Sequence, residues 1–288
     1  MQQFIVQTLN GLTLAGIMFL VSSGFTLVFG VMRITNLAHG AFYLLGGYVA
    51  YTCIQVAGNF FVGLIVAGLA TAALGVLLER TLIKRMRGQV MAELLATLGL
   101  VYVIDDLALA IWGGNPLSLK LPGFLSSSTD LPGGIIYPNS RIFIFVVAGL
   151  IGVGLYYLLR RTRVGAIVRA GVDNRAMVGA MGINVRLVFT SVFALGALLA
   201  GMGGALGGTV FTLAPNGDAE ILTFALVVVI VGGLGSFEGA VLGSLIVGLL
   251  SNYGQAYFPA LAYFALFAPL VIVLLVRPQG LLGRTAAA

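Results

Sequence analysis

Apolar and polar positions in this chain come in long blocks. Apolar stretches cover 4–31, 38–57, 60–83, 92–112, 142–159, 187–213, 221–234, 239–250 and 258–276. At 1.5 Å per residue most of these cross the ~30 Å hydrocarbon layer of a bilayer as single helices. Two do not. The stretches 221–234 and 239–250 reach only about 20 Å each, and they flank Gly232-Gly-Leu-Gly-Ser-Phe-Glu-Gly239. This predicts two short helices meeting at a break, or a tight helical hairpin. The first stretch is long for one crossing, so a surface helix plus a short span is an alternative there and the N-terminal side stays open. The pattern specifies an all-α fold, a polytopic membrane helical bundle of about eight to ten spans at ~20 residues each. Its broken helices fall near 33–40 and 232–239, and residues 1–288 form a single transmembrane domain.

Composition supports this reading. Hydrophobic residues make up 60 % and charged residues 8 %, against about 25 % charged in soluble domains. That is too little charge to cover a water-facing surface, which excludes an ordinary cytosolic enzyme, a disordered chain and a coiled coil. Met1-Gln2-Gln3 carries no basic segment, so the first apolar stretch is expected to be a span and not a cleaved signal. The single cysteine, Cys53, lies in an apolar run and excludes an intrachain disulfide; it reads as a small buried hydrophobe.

The net charge of +6 would suggest nucleic acid in a soluble protein. Here it is clustered between apolar runs, and it orients the chain instead. Arg80, Lys84, Arg85 and Arg87 form one cluster. Arg160, Arg161, Arg163, Arg169, Arg175 and Arg186 form another, diluted only by Asp173, and Arg277 and Arg284 follow the last run. The positive-inside rule assigns these and the C-terminus to the cytoplasm. The 113–139 loop and the acidic 214–220 segment then lie outside.

Several polar residues fall within or beside the apolar runs. Asn36, His39 and Gly40 open the second run, with Tyr43 one turn on. They read either as non-helical backbone lining a cavity, with a helix N-terminus aimed into it, or as an interfacial loop in which His39 caps a helix. Glu238 reads either as a pathway carboxylate or as an acid stabilising a helix dipole. Asp105 and Asp106 sit inside a run; neighbours differ by ~100° around a helix, so both cannot face one groove, and at least one should face protein or water. Gly232, Gly233 and Gly235 allow close helix packing, and also bare backbone along a cavity. The candidate pathway set is Asn36, His39, Gly40, Tyr43, Asp105, Gly232, Gly233, Gly235 and Glu238. A faint echo joins His39-Gly-Ala to Glu238-Gly-Ala, of the kind that broken-helix repeats produce.

The basic segment 160–186 is longer than a connection needs. Asp173 and Asn174 can cap a short helix, Met177 and Met181 give it an apolar face, and Gly182 can stop it. This reads as a docking helix for a cytoplasmic partner, against a basic loop lying on anionic headgroups; length and methionine content favour docking. Chemistry of the chain's own is not indicated. Ser236 and His39 lack a nucleophile-elbow frame. No phosphate-binding loop and no metal-ligand cluster is visible, so no catalytic residue, metal or cofactor is expected.

Four separated segments carry a resemblance. They are Phe29-Gly-Val-Met-Arg-Ile-Thr-Asn-Leu-Ala-His-Gly-Ala-Phe42; Thr162-Arg-Val-Gly-Ala-Ile-Val-Arg-Ala170 with Asp173-Asn-Arg-Ala-Met177 and Gly182-Ile-Asn184; Val231-Gly-Gly-Leu-Gly-Ser-Phe-Glu-Gly-Ala240; and Leu275-Val-Arg-Pro-Gln-Gly-Leu281. In order and over nearly the whole chain they resemble the permease subunits of branched-chain amino acid ABC importers, most like the first of the two homologous permeases. The resemblance implies a second permease, two cytoplasmic ATPase subunits that hold ATP and Mg, a periplasmic substrate-binding protein, the bacterial inner membrane, and no nucleic acid. It implies alternating access, with Arg163, Arg169, Asp173, Asn174, Met177, Met181 and Gly182 in the ATPase-coupling region. Related permeases for urea, short amides or aromatic acids remain an alternative, as does a stand-alone secondary transporter. Glu238 departs from the small residue or proline of many relatives, and Asp105-Asp106 has no counterpart in the pattern.

Overall fold

The computed structural model describes residues 1–32, 34–173 and 175–283, without the side chains of 172, 173, 175 and 176. Asn174 and Arg284 lie outside the described residues, as does the side chain of Asp173. The chain runs as α1 Gln2–Met32, α2 His39–Ala57, α3 Phe60–Leu78, a π-turn Glu79–Ile83, α4 Lys84–Met86 and α5 Val90–Trp112. A short α6, Gly123–Ser126, and the hairpin β1 Ser128–Leu131 and β2 Ile135–Pro138 follow. Then come α7 Asn139–Arg161, α8 Arg163–Asp173, α9 Arg175–Ala180, α10 Val185–Gly207, α11 Gly217–Gly232, α12 Phe237–Tyr257, a 3-10 turn Pro259–Leu261 and α13 Ala262–Val276. Among the described residues seven helices are long and apolar enough to cross a membrane, and the bent pair α11–α12 makes eight if counted as one broken span.

α1 is the axis of the bundle. It is one unbroken helix of 31 residues, about 46 Å long, and not a surface helix joined to a short span. It is apolar on all sides and buried through its middle from Gly16 to Val28. α7, α10, α11 and α12 pack around it, and α10 also packs on α2 and α3. α5, α7 and α13 lie outermost and expose Leu107, Val153 and Ile272, the surface expected of helices facing lipid or a partner subunit.

The two ends differ. At one end the antiparallel β-hairpin turns through Gly133 and Gly134, both at positive φ, and covers the start of α1. Its buried Tyr137 hydroxyl lies 3.1 Å from Thr13 Oγ1, and Gln2 Nε2 donates to the Gly133 carbonyl at 2.7 Å. The segments before α6 and after α10 are tied by reciprocal backbone bonds between Leu117 and Leu213. The opposite end carries α4, α8, α9 and the C-terminal turn, and with them the described arginines of both basic clusters. α9 stops at Gly182, φ +78°, as its glycine predicts.

Close backbone approach holds the centre together. Gly24 meets Gly196, and Gly46 meets Gly201, which also faces Thr71. A methyl group at any of these would strike a neighbouring backbone or side chain, so van der Waals packing of small residues links α1, α2, α3 and α10. One charged pair is buried beside this core. Glu79, fully buried in the π-turn, accepts from Arg87 Nη2 at 2.5 Å and from Thr190 Oγ1 at 2.6 Å. The Arg87 guanidinium also stands 4.5 Å from the Phe189 ring centroid.

Removing one partner of a buried ion pair typically costs about 3–5 kcal/mol, because the other charge stays buried. Arg87→Met is therefore expected to lower the melting temperature of the purified protein by several degrees. The double variant Glu79→Gln/Arg87→Met is expected to recover most of the loss. Differential scanning fluorimetry in detergent reads both.

Candidate functional site

The first chain break lies deep inside the molecule. Val21 stands two-thirds of the way along α1, and His39 Nε2 lies 2.9 Å from its carbonyl oxygen. A carbonyl only accepts, so Nε2 carries the proton. From the end of α1 at Met32 the chain thus returns about 16 Å along α1 before α2 begins. Asn36 organises the return: its Oδ1 accepts from the Ala38 backbone N–H at 3.1 Å, while the Leu37 N–H donates to Thr97 Oγ1 at 3.3 Å. His39 is fully buried, packed edge-on against Phe25 and Phe42. This is not an interfacial loop, and α2 has no side-chain cap.

A second break mirrors it. After α10 the segment 208–216 turns back from the hairpin end, and α11 begins beside Gly40. A Cβ on Gly40 would fall on the Asp218 carbonyl oxygen and 3.0 Å from Leu222 Cβ. α2 and α11 thus start at one depth and diverge, α2 toward the hairpin end and α11 toward the arginine end. α11 is only 16 residues long, about 24 Å. Its partner α12 is a full-length helix of 21 residues, so only one of the two short helices expected after residue 220 is short. The positive ends of two helix dipoles converge at this junction.

Carboxyl groups collect where those ends meet. Asp218 was expected in an outside loop; it is buried in the first turn of α11. Asp105 of α5 faces it. Both Asp218 oxygens and Asp105 Oδ1 lack a hydrogen-bond partner among the described residues. Asp106 points outward and is exposed, which is the division a helix imposes on adjacent residues. Tyr43 closes the other side, its carbonyl against Gly204 and its hydroxyl against Gly207.

Above the junction, toward the hairpin end, lies a cavity of about 460 Å³. Tyr43 and Leu44 line it from α2, and Gly217, Glu220, Ile221 and Phe224 from α11. Arg141, Asn10, Asn252 and Gln255 add polar groups. The Arg141 guanidinium donates to Asn10 Oδ1. The cavity thus rests on the residues flanking His39 and Asp218.

Asn36, His39, Gly40, Tyr43 and Asp105 therefore share one centre. Gly232, Gly233, Gly235 and Glu238 do not join them and sit at the arginine end. Gly232 packs on Gly239 across the α11–α12 turn, Gly235 on Gly30, and Gly233, φ +108°, on Gly283 and Leu282 of the C-terminal turn. Leu281 and Leu282 donate from their backbone N–H to Val231 and Gly232. Glu238 is ion-paired with Arg160 at the surface. Of the docking residues, Arg163, Met177 and Met181 are exposed and Arg169 is half-buried. Asp218, Glu220 and Arg141 escaped the sequence reading because each falls at the edge of an apolar run, where a loop or cap explains it equally well; Asn10 is a single polar residue inside the first run.

The family model described as "Branched-chain amino acid transport system / permease component" matches residues 7–276. The chain belongs to this permease family. It is 28 % identical to the high-affinity branched-chain amino acid transport system permease protein BraD of Pseudomonas aeruginosa, over 98 % of this chain and 96 % of that protein. It is 27 % identical to the corresponding permease LivH of Escherichia coli K12, with the same coverage. The permease LivM of E. coli K12 is 29 % identical over 96 % of this chain but only 70 % of its own length. Length thus sides with BraD and LivH, the first of the two homologous permeases. No solved structure matches the chain significantly. In this permease the break before α2 is the kind of irregular backbone that membrane proteins tolerate only where protein surrounds it.

Two substitutions probe the two centres. Gly40→Val forces side-chain atoms onto the Asp218 carbonyl and is expected to reduce uptake more than tenfold while the protein still inserts; radiolabelled uptake and membrane immunoblots measure both. Gly233→Ala adds a Cβ at positive φ against Gly283, and is expected to release the C-terminal turn, read as faster proteolysis there.

Proposed function

We propose that this chain is the transmembrane permease subunit of an ATP-driven importer. It carries branched-chain or other apolar amino acids into the cytoplasm by alternating access. One observation carries the reading: in a member of this family, a polar cavity at one face ends where the starts of two helices, α2 and α11, pack backbone to backbone. The cavity is the outward-facing vestibule and the Gly40–Asp218 junction its closed floor. Asn36, His39, Gly40, Tyr43 and Asp105 form the pathway around that floor. Gly232, Gly233, Gly235 and Glu238 hold the inner end of α11 and α12 to the C-terminal turn and α7.

The arginine end faces the cytoplasm in this assignment, and with it the C-terminus, because basic clusters are retained on that side of bacterial inner membranes. The partners are a second, homologous permease, two cytoplasmic ATPase subunits and a periplasmic binding protein. ATP and Mg act on the ATPases, and this chain binds no cofactor. α8 and α9 form the docking element: Arg163, Arg169 and Asp173 on α8, then Asn174, then Met177, Met181 and the stop at Gly182. α9 precedes α10, whose glycines pack on α1 and α2, so ATPase closure reaches the floor of the cavity through one continuous stretch of chain. A two-state bundle shifts only when a partner interacts differently with each state; the exposed methionines supply such a surface. The stand-alone transporter reading is not favoured in a chain of this family.

Met177→Asp and Met181→Asp are expected to leave the subunits co-purifying and the ATPases active, and to cut leucine uptake by more than tenfold. Proteoliposome uptake and phosphate release measure the two sides. Normal coupled uptake in both variants removes the docking role. For orientation, a single cysteine placed at Ile183 in a Cys53→Ser background is expected to resist impermeant thiol reagents in intact cells and to react in inverted vesicles.

A further inference from the structure

The outer cavity carries more chemistry than a passage needs. Among the described residues two charged side chains line it, and they have opposite sign: Arg141 near the start of α7 and Glu220 in the first turn of α11. They are not paired with each other; the two salt bridges among the described residues are Arg87–Glu79 and Arg160–Glu238. Arg141 directs one N–H to Asn10, which orients a guanidinium fork that has five donors in all. Leu14, Ile17 and Met18 of α1, with Ile221 and Phe224 of α11, make an apolar wall in the same cavity. The volume falls in the range of small-molecule sites, which typically combine apolar walls with a few placed polar groups.

Single roles account for each charge alone. An acid in a first turn complements the helix dipole, and an arginine near a helix end reaches headgroups. Neither accounts for an unpaired cation and anion from two different helices converging on one cavity beside an apolar wall. A zwitterion does, because it neutralises both.

We propose that this cavity is a binding site for a free α-amino acid. Arg141 receives the carboxylate, Glu220 the ammonium group, and the apolar wall the aliphatic side chain. The proposal rests on the importer function assigned above and adds to it that the permease itself reads the substrate. A zwitterionic lipid headgroup such as phosphatidylethanolamine shares the charge pattern, and the experiment separates the two.

The assembled transporter is purified into phosphatidylcholine nanodiscs, and binding of tritiated L-leucine is measured without the soluble binding protein. Saturable binding is expected. Arg141→Met and Glu220→Gln each weaken it about tenfold or more, as loss of a hydrogen bond to a charged group does. Arg141→Lys and Glu220→Asp recover part of it, with subunit co-purification as the control for folding. Leucinamide and 4-methylpentanoate, each lacking one charge, compete with leucine at least tenfold less well. Leucine binding unchanged in both charge-removing variants overturns the proposal. So does an assembly that imports leucine through its binding protein yet binds none alone. Loss of co-purified phosphatidylethanolamine in the variants, with leucine binding intact, assigns the pair to a lipid headgroup and overturns it too. Failure to import any branched-chain amino acid refutes the importer function, and the site falls with it; import with unaffected variants refutes the site alone.

Discussion

A peptide group left unpaired in hydrocarbon costs several kcal/mol, so a chain can leave the helix at membrane depth only where protein walls it off. This permease interrupts its helices twice at such depth, before α2 and before α11. The fully buried middle of α1 is what makes the first tolerable, and the second borders the cavity. Its Val21 carbonyl receives His39, and its Gly24 lets α10 close in beside that histidine. Asn36 and, from α5, Thr97 then accept from backbone N–H groups of the break.

The consequences spread outward from that point. Because α2 and α11 begin at the same depth, two positive dipole ends and two carboxyl side chains share one small volume. Because the helices diverge, the space above their starts opens as a cavity toward the hairpin end, while below it the α11–α12 turn is packed on the C-terminal turn. Glycine contacts hold the two halves at backbone distance. Packing of this kind switches between discrete arrangements and does not stretch, a property suited to a gate.

Much of this architecture was legible in the residues. Block-wise apolarity specifies a membrane bundle, since 8 % charge cannot clothe a soluble surface. The basic clusters divide the molecule into two faces, Gly182 ends α9, and the interruption at Ile34–Ala38 is visible as polar residues between two apolar runs. Other features were misread for identifiable reasons. The 4–31 run is too long for one vertical crossing, yet α1 stays whole because its neighbours bury it. The 239–250 run understates α12, because Ser251, Asn252 and Gln255 are polar but helical. Glu238 shares a local motif with His39, but its partner is Arg160, a residue 78 positions away.

By itself the sequence determined the class of solvent this chain lives in, the positions of most of its long helices, and which end carries the positive clusters. These are properties of hydropathy and local backbone chemistry, and they act over a few turns. Only the tertiary structure decided the depth of each break, the meeting of Gly40 with Asp218 and the convergence of Arg141 and Glu220 on one cavity. Those depend on how far the chain folds back along a neighbouring helix. That distance is set by packing between segments remote in sequence, for which no local pattern carries a signal.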